Sequence, residues 1–276
     1  MHPDLDRFNI QNYDLFDVKV TAFDTPDLMR FFEACIEEGG QAVCYGYSLT
    51  VFERFVHMPQ LPKIANRFEI MAPEGRGFYL LWRMFGVPLR SDDSLPEITE
   101  SLLELADARG FSVMLFGTDE VSNRIASDHI RARFPGAKVL PGMHGFYRPE
   151  EEQAVVRLIN ERNPNILLIG MSSPKKEEFV HRYRHELKAS VLAPVGGTID
   201  ILAGKTKPIP RLVKKLSLTW LYRFFQEPRR LYDLLFAAGL RVLFGLIPRL
   251  FWESVVRRND SFSIPDYYTR KGKRKG

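Results

Sequence analysis

The sequence predicts an α/β fold: a Rossmann-like, mostly parallel sheet with helices on both faces, plus a helical C-terminal appendage. Three observations carry this. Short apolar runs alternate with amphipathic stretches through the first 200 residues, as in "FSVMLFGTDEVSNRIASDHI" and "NILLIGMSSPKKEEF". Such β-then-α units in succession build a parallel sheet. The apolar runs break into Gly, Ser and Pro loops, and because crossovers share one hand, those loops gather along one sheet edge. Finally, residues 1–200 carry 22 Lys/Arg against 29 Asp/Glu, whereas residues 201–276 carry 17 against 5.

Taken in order, residues 1–13 read as a loose arm, and "FDVKVTAFD" as an alternating strand. Thr25 or Asp27 is placed to cap the helix "PDLMRFFEACIEEG", which stops at Gly39-Gly40. "QAVCYGYS" is a strand and "LTVFERFV" a short helix. "RFEIMAPEGRGF" is a strand ending in a loop with Glu74 and Gly75, and "GFYLLWRMFGVP" is helical. "SLPEITESLLELADARG" is an amphipathic helix with a glycine stop. Two strand–turn–helix units follow, through "FPGA" and then through "NERNPN". The strand "ILLIGM", the helix "PKKEEFVHRYRHEL" and the strand "SVLAPVGG" complete the sheet. Loops holding Glu74, Gly117, Gly145, Ser172 and Gly197 are expected on one edge.

A chain of 276 residues with 45% hydrophobic content accommodates one substantial domain and an extension. The boundaries fall at 1–205 for the α/β domain, 206–256 for the helical appendage, and 257–276 for a basic tail predicted to be disordered. Cys35 and Cys44 form no CxxC or Cys/His cluster, so neither a metal site nor a disulfide framework is expected. The N-terminus is acidic and lacks the apolar core of a signal peptide, which fits a reducing cytoplasm. Residues 231–252 are apolar, but Asp233, Arg241 and Arg249 leave the uncharged run 234–240 far short of a span. Interfacial or bundled helices at an anionic membrane surface are the expectation. The same stretch is too apolar for a nucleic-acid surface, so no nucleic-acid partner is expected.

Several loops are candidates for chemistry. No GxGxxG follows the first strand and no GxxxxGK[ST] occurs, which demotes dinucleotide binding and P-loop phosphoryl transfer. Gly117 and Thr118 in "LFGTDE" form either an ordinary tight turn or one that admits a phosphate to the helix N-terminus. In "HGFYRPEEE", Gly145, Phe146 and Tyr147 either stack a base or pack beneath the loop. In "GMSSPKKEE", Ser172, Ser173 and Lys176 either face a bound anion or belong to a solvated, capped helix start. In "PVGGTID", Gly196 and Gly197 permit close backbone approach, and Asp200 suits ribose or base donors. Glu74, the one carboxylate in a strand-end Gly loop of the N-terminal half, is either placed as a general base requires or an exposed turn glutamate.

"PGMHGFY", "GMSSPKKEEF", "VGGTIDILAGK" and "WLYRFFQEPRR" stand in the order and spacing of the WecG/TagA/CpsF glycosyltransferases, which the chain resembles over roughly residues 14–235. The resemblance implies a Rossmann-like domain with a membrane-associating appendage, peripheral at the cytoplasmic face of the bacterial inner membrane. It implies transfer of a hexose from a UDP-sugar to a polyprenyl-diphosphate-linked saccharide, with inversion and without metal. No DxD motif is evident in the candidate loops, and the UDP-sugar is a co-substrate, so no cofactor is expected.

Carried over residue by residue, the family's catalytic aspartate becomes Glu74. Its Thr-x-Asn falls on Gly46/Ser48 or on Tyr45/Tyr47, which makes Tyr47 and Ser48 substrate-side candidates. Its Pro-Lys-Gln-Glu glutamine becomes Lys176, beside Ser173, and an arginine expected after "GVPL" is Asp92. The appendage arginines match at Arg223 and Arg230. The nucleotide elements are retained while the sugar- and acceptor-side groups differ. This implies a changed sugar or acceptor, with exopolysaccharide synthesis the fitting branch, or lost activity. A Lys176–Asp92 pair would mark rebuilding. Homo-oligomerisation stays open.

Overall fold

The strands here are continuous apolar runs, because both faces of the sheet are covered. The computed structural model describes residues 2–206, 209–210, 213, 222, 225 and 242–253. A hairpin, β1 (Gln11–Leu15) and β2 (Val18–Ala22), precedes α1 (Thr25–Glu37) and β3 (Ala42–Tyr47). Then come α2 (Leu49–His57), α3 (Gln60–Ala65), β4 (Ile70–Pro73), α4 (Arg76–Met84) and α5 (Leu95–Arg109). The second half runs β5 (Ser112–Gly117), α6 (Glu120–Arg133), β6 (Lys138–Val139), α7 (Glu152–Arg162), β7 (Ile166–Gly170), α8 (Lys175–Tyr183), β8 (Val191–Ala193) and α9 (Thr198–Leu202).

Six strands pair in the order β4-β3-β8-β7-β5-β6, and every pairing in that sheet is parallel. Side chains alternate between two cores. Tyr45, Tyr47, Phe116 and Ile169 pack with Phe52, Trp82 and Phe179 of α2, α4 and α8. Cys44, Leu115, Leu168 and Ala193 pack with Phe32, Leu102 and Ile130 of α1, α5 and α6. The α/β part of the expected fold class, a parallel sheet with helices on both faces, is therefore the observed one.

Connectivity then locates the crevice. The chain leaves β5 through α6 toward the β6 edge, and leaves β7 through α8 toward β8. Those two helices belong to opposite cores. Neighbouring strands whose crossovers diverge form a topological switch point, and the cleft opens above it. Here it lies between β5 and β7.

The N-terminal segment departs from expectation. Residues 1–13 were read as a loose arm, but Phe8 and Ile10 are buried, and Phe8 meets Phe31 edge-on at 5.7 Å. Gln11 onward pairs with β2 through a two-residue turn in which Phe16 and Asp17 both have positive φ. Such turns usually signal themselves with Asn or Gly; Phe-Asp does not. The hairpin lies along the outer β4 strand, where the Thr21 hydroxyl accepts from Met71 N at 2.8 Å. Covering an edge this way blocks strand-to-strand association.

Within the C-terminal region, helical turns at Val242–Leu246 and Ile247–Phe251 are described. Leu246 and Leu250 are buried in the same core as Tyr47 and Trp82, whereas Phe244, Phe251 and Trp252 are exposed. Among the described residues no helix is long and apolar enough to cross a membrane. Arg223, Arg230 and the tail 257–276 lie outside the described residues.

Candidate active site

At the switch point, β5 and β7 run so close that a Cβ on Gly117 would lie 2.4 Å from the Gly170 backbone. Only glycine allows this, and its φ of +138° suits no other residue. The next residue, Thr118, is held in the left-handed region at φ +51°. Its N–H donates to Gly170 O at 2.9 Å, and its carbonyl accepts from Gly145 N at 3.0 Å. Its hydroxyl donates to Asp200 Oδ1 at 2.6 Å. Three loops distant in sequence are thereby tied together. Buried Asn123 adds bonds from its amide to the carbonyls of Gly117 and Met143 at 3.0 and 2.9 Å.

The N-terminus of α6 sits beside this knot, and the sequence left it open as an ordinary tight turn or a place for a phosphate. The structure fills it instead with Asp119, whose carboxylate accepts from Ser122 N and Ser122 Oγ, both at 2.8 Å. Those bonds and the Lys205 ammonium 3.0 Å away hold the Asp119 carboxyl well below the usual range. An anion already present, covalently attached, leaves that helix end no reason to take another.

Farther round the crevice, Phe146 is 73% exposed. Tyr147 is half-buried, stacked on Phe116 with ring centroids 5.7 Å apart. Burial pushes its hydroxyl above the ordinary value, with Glu152 adding to the effect. Of the two readings of this loop, packing beneath it describes Tyr147, whereas Phe146 is exposed. Lys175 Nζ lies 3.6 Å from the Tyr147 ring centroid and donates to Gly145 O at 2.9 Å. Burial lowers its pKa. Sequence reading passed over Lys175 in favour of its neighbour.

That neighbour, Lys176, does not face solvent. It is 6% exposed, with Nζ 3.3 Å from Pro194 O and 3.8 Å from Glu177 Oε1. Ser173 Oγ donates to Glu177 Oε1 at 2.9 Å, and the Ser173 carbonyl accepts from Arg54 of α2. Asp92 pairs with Arg76 at 3.5 Å. The anticipated Lys176–Asp92 pairing is therefore replaced by two separate pairs.

Toward the β4 edge, Glu74 is anchored by its N–H to Tyr47 O at 3.0 Å. Its carboxylate lies against Gly46, where a Cβ would come within 2.7 Å of Oε1. Of the two registers left open at this loop, Gly46/Ser48 is the one beside Glu74. Tyr47, expected at the substrate, is a core side chain: it is fully buried among Phe52, Phe55 and Phe78. Its alternation places it on the face packed by α2 and α4, away from Gly46. From β3, which bears Gly46, to β5, which ends one residue before Thr118, is three strand spacings, roughly 14 Å.

The fold and its edge define a doubly wound α/β protein with a polar crevice at the switch point and a carboxylate farther along the same rim. The family model described as the glycosyl transferase WecG/TagA/CpsF family matches residues 13–257, and the chain belongs to that family. Relatives include the N-acetylglucosaminyldiphosphoundecaprenol N-acetyl-beta-D-mannosaminyltransferase of Bacillus spizizenii, 25% identical over 172 residues, with 62% of this chain and 66% of the relative covered. Its Bacillus subtilis counterpart is 25% identical over 167 residues, covering 60% and 64%. A Staphylococcus aureus counterpart is 24% identical over 169 residues, covering 61% and 66%. The chain thus spans slightly less than two thirds of the length of these relatives.

Proposed function

We propose that this protein is an inverting hexosyltransferase that moves a sugar from a UDP-sugar to a polyprenyl-diphosphate-linked saccharide, without a metal, in the assembly of an exopolysaccharide or another surface glycan. Family membership and the names of the relatives support the reaction class. The observation that carries the mechanism is Glu74: a carboxylate fixed by its backbone and lodged against a bare glycine on the rim.

In this reading Glu74 takes the proton of an acceptor hydroxyl as its oxygen attacks the anomeric carbon. The bond from that carbon to the UDP β-phosphate oxygen breaks, and inversion follows from the single displacement. The nucleotide occupies the switch point, with Asp200 oriented by Thr118 to accept from ribose or base, Phe146 available to stack, and Gly145, Gly196 and Gly197 allowing close approach. Lys176, Arg223 and Arg230 supply positive charge toward the departing diphosphate, where preorganised charge contributes most. Ser48 and Ser173 lie on the acceptor and sugar side. The exposed Phe244, Phe251 and Trp252, within a strongly basic region, suit attachment to an anionic membrane surface, which flotation with anionic vesicles tests.

The deciding experiment is a UDP-release screen across UDP-sugars with a polyprenyl-diphosphate-sugar acceptor. Release of UDP with one donor, dependent on acceptor, supports the reading. Binding of UDP with release from none would make the protein a nucleotide-binding regulator instead.

A further inference from the structure

Glu177 is fully buried in the first turn of α8. One of its oxygens accepts from the Tyr45 hydroxyl at 2.7 Å and from Ser173 Oγ at 2.9 Å. Burial, and then Glu177 itself, push the Tyr45 hydroxyl well above its ordinary value, so it stays a donor. The other oxygen, Oε2, makes no hydrogen bond among the described residues. Beside it, the Lys176 ammonium has three N–H groups and one long hydrogen bond, to Pro194 O at 3.3 Å. Its 3.8 Å separation from Glu177 is an ion pair outside hydrogen-bond range. Nζ lies 3.6 Å from the point where a Cβ on Gly196 would sit, directly under the loop that ends β8.

A buried ion pair that serves only stability needs close geometry and satisfied valences, since desolvation otherwise outweighs the attraction. This one has neither. Its carboxylate is pinned from β3 and from the β7–α8 loop, while its ammonium lies over the Tyr45 ring, 5.0 Å from the centroid, and faces the Gly196 loop. We propose that Glu177 is a positioning residue, which holds the Lys176 ammonium under the Gly196–Gly197 loop so that it reaches the diphosphate of a bound nucleotide. This rests on the donor reading above.

Two opposite signs separate this role from simple proximity. A carboxylate that is only near an anion site repels the anion, so its removal tightens binding. A carboxylate that positions the ammonium does the reverse. The test is calorimetry of UDP and of uridine on the full chain, for the wild type, Glu177→Gln, Lys176→Gln and the double variant. UDP affinity is expected to fall about tenfold in each single variant and no further in the double, the coupling expected of residues acting through one another. Uridine affinity is expected to stay unchanged throughout. Tyr45→Phe keeps both charges and loosens Glu177, and is expected to cost two- to fivefold in UDP affinity. It serves as the second probe if Glu177→Gln folds poorly, as thermal melting will show.

UDP affinity unchanged or raised in Glu177→Gln overturns the proposal. So does an equal loss on the Lys176→Gln background, or a matching loss for uridine. If the wild type binds UDP and neither residue matters, the pair alone falls. If the wild type does not bind UDP, the donor reading falls and takes the pair with it.

Discussion

The two ends of the rim are built on different terms. At the β5–β7 switch point, polar groups satisfy one another: Thr118 on Asp200, Asp119 on Ser122 and Lys205, and Asn123 on two loop carbonyls. Nearer β3 and β8, Glu177 is fully buried with one carboxylate oxygen, Oε2, that has no hydrogen-bond partner among the described residues. The first end is a finished surface, rigid before any ligand arrives. The second holds charge in a low-dielectric setting where an incoming group meets strong, incompletely committed partners. In the proposed reading the nucleoside suits the first, and the diphosphate with its sugar or acceptor suits the second.

The sharpest way to break that division is at Glu74. Glu74→Gln is expected to lower turnover roughly 100-fold or more, the usual range for losing acid–base help, with UDP affinity held. Turnover near normal in a UDP-release assay would remove Glu74 from the chemistry. Gly46→Ala acts on the same carboxylate by steric means, since its Cβ would meet Oε1 at 2.7 Å. A displaced base is expected to reduce turnover by about tenfold, within the range that small misplacements produce. Full activity would mean that the carboxylate position is not demanding.

At the finished end the expected effects concern binding. Asp200→Ala is expected to weaken UDP by about 1–3 kcal/mol, the range for losing a hydrogen bond to a charged group. Unchanged UDP affinity by calorimetry would move the nucleotide elsewhere.

The smallest effect is expected from Asp119→Ala, which removes the cap of α6 and should lower the melting temperature near neutral pH. The sign follows from linkage. The folded-state carboxyl is held below its unfolded value, so the stabilisation is present above about pH 4 and is lost as pH falls through the folded value. The gap between variant and wild type should therefore close in acid. A gap independent of pH would assign the effect to packing.

Much of this was readable before any coordinates. The apolar runs "ILLIG" and "SVMLFG" announced strands buried on both faces. The breaks at Gly117, Ser172 and Gly196 announced the rim on which Thr118, Asp200 and Glu74 stand. What escaped notice had no local signal. A Phe16-Asp17 turn lacks the usual turn residues, so the hairpin and the docked segment before it were invisible. Lys175 and Lys176 are adjacent and alike in sequence, and a helix sends neighbours about 100° apart. One reaches Gly145 and Tyr147, and the other goes under the Gly196 loop.

The sequence by itself determined the layer architecture, the rim and its carboxylates, because hydrophobic period and glycine placement act locally and recur along the chain. Only the tertiary structure decided which groups are available there. Asp119 closes a helix end that a phosphate might otherwise use. Tyr47 turns into the core because strand alternation gives Gly46 the other face. Lys176 is drawn inward because Tyr45 and Pro194, far from it in the chain, meet it and its neighbour Glu177 there, and burial and charge compensation depend on those meetings and not on the order of residues.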